Sequence, residues 1–131
     1  MKLESLDFIY MPSEDPAAEL DHYVRVLGAE VAFAIEAFGA RVAMLRLGPA
    51  GTPALLLAGH MHTERPVLLY RVESLERAVE EAEAAGGSVG PEFGFPHGNA
   101  HEVELPGGNR IAIYELTRPE RAKQLEGRRD F

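Results

Sequence analysis

Five histidines, His22, His60, His62, His97 and His101, are the side chains of this sequence best suited to exchange protons or bind a metal near neutral pH. His60 and His62 flank Met61, so on extended backbone both imidazoles face one way. The plainer reading makes them exposed loop residues. His101 alternates with Val103 and Leu105, and Glu102 with Glu104 on the other side. His97, His101 and one of those glutamates are the set that could converge as an off-pattern metal site. Otherwise His101 is a hairpin residue touching solvent. His22 sits beside Tyr23 in a helical stretch and is expected to be partly exposed. The absence of cysteine removes thiolate ligands and a cysteine nucleophile. There is no Ser–His–Asp order and no zinc-protease motif. Gly107-Gly108 lacks the third glycine and following helix of a phosphate-cradling loop. Glu80-Glu81-Ala82-Glu83 reads as the wet face of a helix rather than an acid–base pair.

Placing these residues requires a folded core. A length of 131 residues fits one domain, or two very small modules sharing a core. With 46% hydrophobic and 26% charged residues, wholesale disorder is excluded. The net charge of −8 argues against nucleic acid or an anionic membrane as partner. Residues 118–131 are locally basic but mixed in sign, and read as a solvated tail. Acids interrupt the start of the chain, so no signal peptide is expected. The longest apolar run is Ala54–Ala58, far short of the roughly 20 residues of a membrane helix. A cytoplasmic location is expected.

Leu6–Met11 reads as a strand ended by Pro12. Asp15-Pro16 caps a helix over 16–27, its stripe made by Leu20, Tyr23, Val24 and Leu27 and its end marked by Gly28. Strands follow at 31–35, 41–47 and 54–58. After a polar stretch, 67–72 is a strand, and Ser74 caps a helix with the stripe Leu75, Ala78, Val79, Ala82 and Ala85. The pairs Glu73/Arg77 and Arg77/Glu81 are expected to support it. Gly86-Gly87 ends that helix, and extended segments follow at 92–95, 101–105 and 111–116. Pro106-Gly107-Gly108-Asn109 is a hairpin turn. Thr117-Arg118-Pro119-Glu120 has capping-box spacing for a short terminal helix. Tyr10 corresponds to Tyr70 and Gly28 to Gly86, so the order βαβββ occurs twice. The predicted organisation is a first module at 1–59, a linker at 60–66, a second module at 67–117 and a tail at 118–131.

This duplicated unit resembles the vicinal oxygen chelate superfamily of glyoxalases, extradiol dioxygenases and bleomycin-resistance proteins. The resemblance is carried by Leu6-Asp7-Phe8-Ile9 through His22–Gly28, by Tyr70–Ala78, and by Pro106-Gly107-Gly108-Asn109 with the strand Arg110–Glu115. It implies an α+β, glyoxalase-like fold: two βαβββ modules forming a curved mixed sheet around a shared cleft, as a homodimer. The family's metal enzymes place His and Glu side chains on the cleft face. Here the corresponding positions are Phe8, Val67 and Ala112, and the first module's last strand reads Leu55-Leu56-Leu57. None offers a metal donor, so no divalent metal and no other cofactor is expected.

Alternation puts Ile9 and Met11 under the first helix, and Leu68, Tyr70 and Val72 under the second. The cleft face then carries Phe8, Tyr10, Leu56, Val67, Leu69, Arg71, Ala112 and Tyr114, with His101 added if its face turns inward. Arg71 either receives an anionic ligand group or pairs with Glu36 or Glu115. Phe93-Gly94-Phe95-Pro96 is either a flap over this bowl or a plain loop. The expected function is metal-free binding of a small, partly apolar molecule, with no catalytic residue assigned. The alternative is a glyoxalase- or dioxygenase-type enzyme with a metal displaced towards His97 and His101. A third reading fills the bowl with its own side chains and leaves a structural module.

Overall fold

The computed structural model describes residues 1–37, 39–60 and 65–131. Along them run β1 (Ser5–Pro12), α1 (Pro16–Arg25), β2 (Glu30–Ala37), β3 (Ala40–Arg46), β4 (Ala54–Ala58), β5 (Val67–Arg71), α2 (Leu75–Ala84), β6 (Ser88–Phe95), β7 (Gly98–Glu104), β8 (Arg110–Leu116) and α3 (Pro119–Leu125). The βαβββ order occurs twice and the short helix after Thr117 forms, giving an α+β chain of mixed sheet. Among the described residues no helix is long and apolar enough to cross a membrane.

Two compact units emerge, and their limits differ from the division read from the sequence. Phe8–Pro66 joins Leu125–Phe131 in one unit, here the N-terminal module. Met1–Asp7 joins Val67–Gln124 in the other, the C-terminal module.

In the N-terminal module the strands are ordered β2-β3-β4-β1, with β1 parallel to β4 and the other pairs antiparallel. The Asp15 carboxylate accepts the Ala18 N–H at 3.1 Å, satisfying one orphan donor of α1, and Pro16 pre-sets its first turn. Gly28, at φ 73°, takes the left-handed turn that ends the segment. Leu20 packs with Ala34, Ala43, Leu45, Leu55 and Leu57, and Ile9 and Met11 pack against that cluster, as alternation predicts. Helix α1 stops at Arg25, earlier than expected, leaving Leu27 beyond it and exposed, and Val24, although within the helix, is exposed too instead of extending the stripe.

In the C-terminal module the order is β5-β8-β7-β6, with β5 parallel to β8. Ser74 Oγ accepts the Arg77 N–H at 3.3 Å, and Gly86 repeats the left-handed exit at φ 86°. Val72, Ala78 and Ile113 form the core under α2, with Leu75, Val79 and Val103 packed on it. The predicted hairpin closes through Gly108 N–H to Leu105 O and Leu105 N–H to Asn109 O, both 3.0 Å. The expected Glu73–Arg77–Glu81 ion pairs do not form among the described residues; Glu81 instead takes the Met1 ammonium.

The end of the chain, though mostly exposed, does not run free in solvent. Residues 125–131 lie along β2 of the N-terminal module, bridged in parallel at Ala34 and Arg129. Gly127 N–H donates to Ala32 O at 2.7 Å, Ala34 N–H to Arg128 O at 2.8 Å and Asp130 N–H to Ala34 O at 2.6 Å. The Asp130 carboxylate accepts the Glu36 N–H at 2.9 Å. Arg46 grips Glu126 through two bonds of 2.6 and 2.7 Å. Phe131 packs on the core cluster, with the Arg41 guanidinium 5.0 Å from its ring centroid. The sequence suggested none of this, because alternating charges on a short segment look alike whether solvated or docked.

Candidate functional site

In each module the face away from the helix holds the residues expected to meet a ligand. In the N-terminal module, β1 and β4 set Phe8 opposite Ala54 and Tyr10 opposite Leu56, and β3 continues the row with Met44 opposite Leu56. Phe8, Tyr10, Leu56 and Met44 are all buried. Burial pushes the Tyr10 hydroxyl up to about 12, so it stays neutral across the physiological range. The His60 ring meets Tyr10 edge-on at 6.3 Å. This face offers apolar contact and one neutral phenol. Its partner in the His60–His62 pair, His62, lies outside the described residues, and His22 is exposed on α1.

In the C-terminal module the register sets Leu69 opposite Ala112 and Arg71 opposite Tyr114. Val67, Leu69, Ala112 and Tyr114 are buried, while Arg71 is half-buried at the end of its strand. The Tyr114 hydroxyl donates a short hydrogen bond to Asp7, whose other oxygen accepts from Ser5 Oγ at 2.6 Å. Phe95 meets Tyr114 edge-on at 5.1 Å and stacks on His97 at 5.4 Å. The Tyr114 pKa is raised by burial first, then by its bond to Asp7 and the charges of Asp7 and Glu4, while Arg71 opposes the shift. His97 falls to about 4 because it is desolvated, the Asp7 charge pulling weakly the other way. Neither Tyr114 nor His97 therefore titrates near neutral pH. The cluster presents a carboxylate, a neutral phenol, a neutral imidazole and a guanidinium, which suits recognition by charge and hydrogen bonding.

Neither pairing considered for Arg71 occurs. Glu36 pairs with Arg41 at 2.8 Å, and the Glu115 carboxylate accepts the Leu75 N–H at 3.0 Å at the start of α2. Among the described residues no carboxylate lies within ion-pair distance of the Arg71 guanidinium.

His101 does not join this face. It lies opposite Ile113, whose side chain is in the α2 core, so it faces the helix and not the face of Tyr114 and Ala112. Its Nδ1–H donates to Gly90 O at 2.9 Å, and its ring borders a groove of about 430 Å³ with Leu75, Val79 and Glu115. Glu102, opposite Ala112, points the other way and pairs with Arg110 at 2.6 Å. The residues proposed for a displaced metal site are thus split between two faces. Among the described residues no three His, Cys, Asp or Glu side chains are grouped as a metal requires. With Phe8, Val67, Ala112 and Leu56 at the positions where the resemblance places ligands, the donor set does not fit a divalent ion. The Phe93–Pro96 stretch is no flap either: β6 runs through Phe95, which is buried beside Tyr114.

Asp7 and Phe95 were not legible as site residues. Alternation assigns Asp7 to the side of Ile9, but compactness groups it with the C-terminal module while Phe8 starts the other. The signal that could have found it is the Ser5-x-Asp7 pair at this junction, two polar side chains on one face of a strand.

Two four-stranded βαβββ modules of this kind define the glyoxalase-like fold, and the comparisons agree. The model of the Glyoxalase/Bleomycin resistance protein/Dioxygenase superfamily matches residues 5–113. The chain belongs to that superfamily. A solved hypothetical protein from Bacillus halodurans C-125 superposes with a TM-score of 0.71 at 15% identity, covering 85% of this chain and 93% of that one. Methylmalonyl-CoA epimerase from Mycobacterium tuberculosis gives 0.71 at 18% identity, covering 92% and 93%. A methylmalonyl-CoA epimerase solved with methylmalonyl-CoA gives 0.71 at 16% identity, covering 88% and 96%. At such identities the likeness shows the fold alone. Among curated proteins, comparison finds no match to the chain.

Proposed function

We propose that this chain binds a small, partly apolar molecule carrying an anionic group, on the face of its C-terminal module turned away from α2. Arg71 is the donor to the anion, with Leu69, Ala112 and Tyr114 as the buried packing beside it; on the N-terminal module's own face Phe8, Tyr10 and Leu56 form a buried apolar row. The observation that carries the reading is the Arg71 guanidinium: half-buried, beside a neutral tyrosine, with no carboxylate within ion-pair distance among the described residues. A half-desolvated guanidinium gains most from a planar two-oxygen acceptor. Relatives with this fold include enzymes whose names specify a carboxylated acyl thioester, which is consistent with an acidic ligand.

The reading includes no metal. After EDTA treatment and dialysis, re-added Zn, Ni, Fe or Mn is expected to be recovered well below one equivalent per chain; stoichiometric recovery would overturn this part. It also takes the chain as a cytoplasmic homodimer, with exposed Val26, Leu27 and Leu47 among its apolar surface.

Calorimetric titration with a panel of aromatic carboxylates and their methyl esters tests the reading. The acids are expected to bind about 10- to 100-fold more tightly than the esters, and Arg71→Met to abolish that preference, as loss of one charge-assisted hydrogen-bond pair predicts. Equal affinity for acid and ester, or an unaltered preference in Arg71→Met, would exclude Arg71 as the anion site.

A further inference from the structure

The N-terminal module ends at β2, which pairs with β3 on one side only. Its other side is covered by residues 125–131. The two partners of this contact differ sharply in burial. In the covering segment, residues 126–130 are exposed and Leu125 and Phe131 only half-buried. Beneath it Ala32, Phe33 and Ala34 are 0% exposed. The segment is held by three main-chain bonds, the Asp130–Glu36 N–H contact, the Phe131 ring and the Arg46–Glu126 pair, whose side chains are 30% and 50% exposed. Solvated ion pairs contribute little and weaken with salt. Contacts of this kind open locally, well below the free energy of global unfolding.

Opening would leave Ala32 O, Ala34 N–H, Ala34 O and Glu36 N–H without their partners on a strand whose centre, Val31–Ile35, is wholly apolar. Such an edge recruits another strand. We propose that residues 125–131 are a releasable strap over a self-association edge, and that when the strap lifts the β2 edges of two copies pair antiparallel. The strand is complementary to itself. Paired about Ala34, whose N–H and C=O both point to this edge, Ala32 of one copy lies opposite Glu36 of the other and Val31 opposite Ala37, so the two Glu36 carboxylates do not face each other and the apolar centres meet. The strap already demonstrates that this edge accepts a strand through its main-chain groups.

The test compares the full chain with a chain ending at Gln124, by light scattering coupled to size exclusion over a range of concentrations. The shortened chain is expected to show twice the mass of the full chain, and a synthetic peptide of residues 125–131 in excess to restore the original mass. Native-state hydrogen exchange on the full chain supplies a second readout. The Ala34 and Glu36 amides should exchange at least about tenfold faster than the Leu45 amide of the inner ladder, and faster again in Phe131→Ala. An unchanged mass in a folded shortened chain overturns the pairing. A shortened chain that cannot fold, or Ala34 and Glu36 amides that exchange only with the whole molecule, overturns the releasable strap.

Discussion

Gly98→Ala should destabilise the protein by more than about 3 kcal/mol, the upper range for overpacking a site that cannot relax. A Cβ on Gly98 would lie far inside van der Waals distance of the Glu115 carbonyl oxygen and 3.2 Å from Thr117 Oγ1. Neither strand can give way easily. Gly98 is paired with Leu116 across the β7–β8 ladder, and its own carbonyl accepts from Arg118 at 2.6 Å, a guanidinium that also holds Phe95 O at 2.7 Å. Separating the strands would therefore disturb Phe95 and, through it, Tyr114 and His97. Against a typical total stability of about 5–15 kcal/mol, this loss removes a large share. Gly107→Ala is the control, because a Cβ there meets nothing within 4 Å and no left-handed backbone is involved. Urea unfolding decides: the Gly98→Ala midpoint should fall well below that of Gly107→Ala, and equal midpoints would show that the two strands separate at little cost.

The second large effect is in acid. The folded pKa of His97 is about 4, below the ordinary 6.5, because the charged imidazolium would be desolvated beside Phe95. Between those values the unfolded chain binds the proton and the folded chain does not. Stability from this group is complete above about pH 6.5 and is lost as pH falls towards 4. A shift of this size corresponds to on the order of 3 kcal/mol. His97→Phe keeps a flat ring for the stack and leaves the His97 main-chain oxygen, which accepts from Thr117 and Arg118 N–H, in place. Its stability should fall less than the parent's between about pH 7 and pH 4.5, by on the order of 2 kcal/mol. Denaturant unfolding at several pH values measures this, and parallel curves for parent and variant would mean that His97 titrates normally when folded.

The fold was readable because its signals are local and occur twice. Asp15-Pro16 and Ser74 open the helices, Gly28 and Gly86 close them with left-handed turns, and strict alternation sends Ile9, Met11 and Ile113 to the helix side. Each of these is decided by neighbours within a few residues. For the candidate site, the shared face of its residues was readable only where alternation holds without interruption, as at Leu69, Arg71, Ala112 and Tyr114. The face of His101 could not be fixed from its own strand. Alternation gives the relative sides of His101 and Glu102, but only the pairing with Ile113 says which side meets the helix. The Asp7–Tyr114 bond spans 107 positions and the strap bond from Glu36 to Asp130 spans 94, and no local pattern announces either. The exposure of Val24 and Leu27 belongs with these, since both have the right types and spacing for a buried stripe.

The exchange of chain ends between the modules has a consequence for synthesis. Residues 1–7 leave the ribosome long before the 67–124 segment they complete, and the sheet formed by 8–66 waits for 125–131 before its outer strand is covered. Neither half is finished until the other has been made. The closing contacts join residues far apart in sequence, which slows the search for the native state. A cut between the repeats would not release two self-sufficient halves: each fragment would carry a piece that belongs to the other, and the two would be expected to recover their fold only on being mixed.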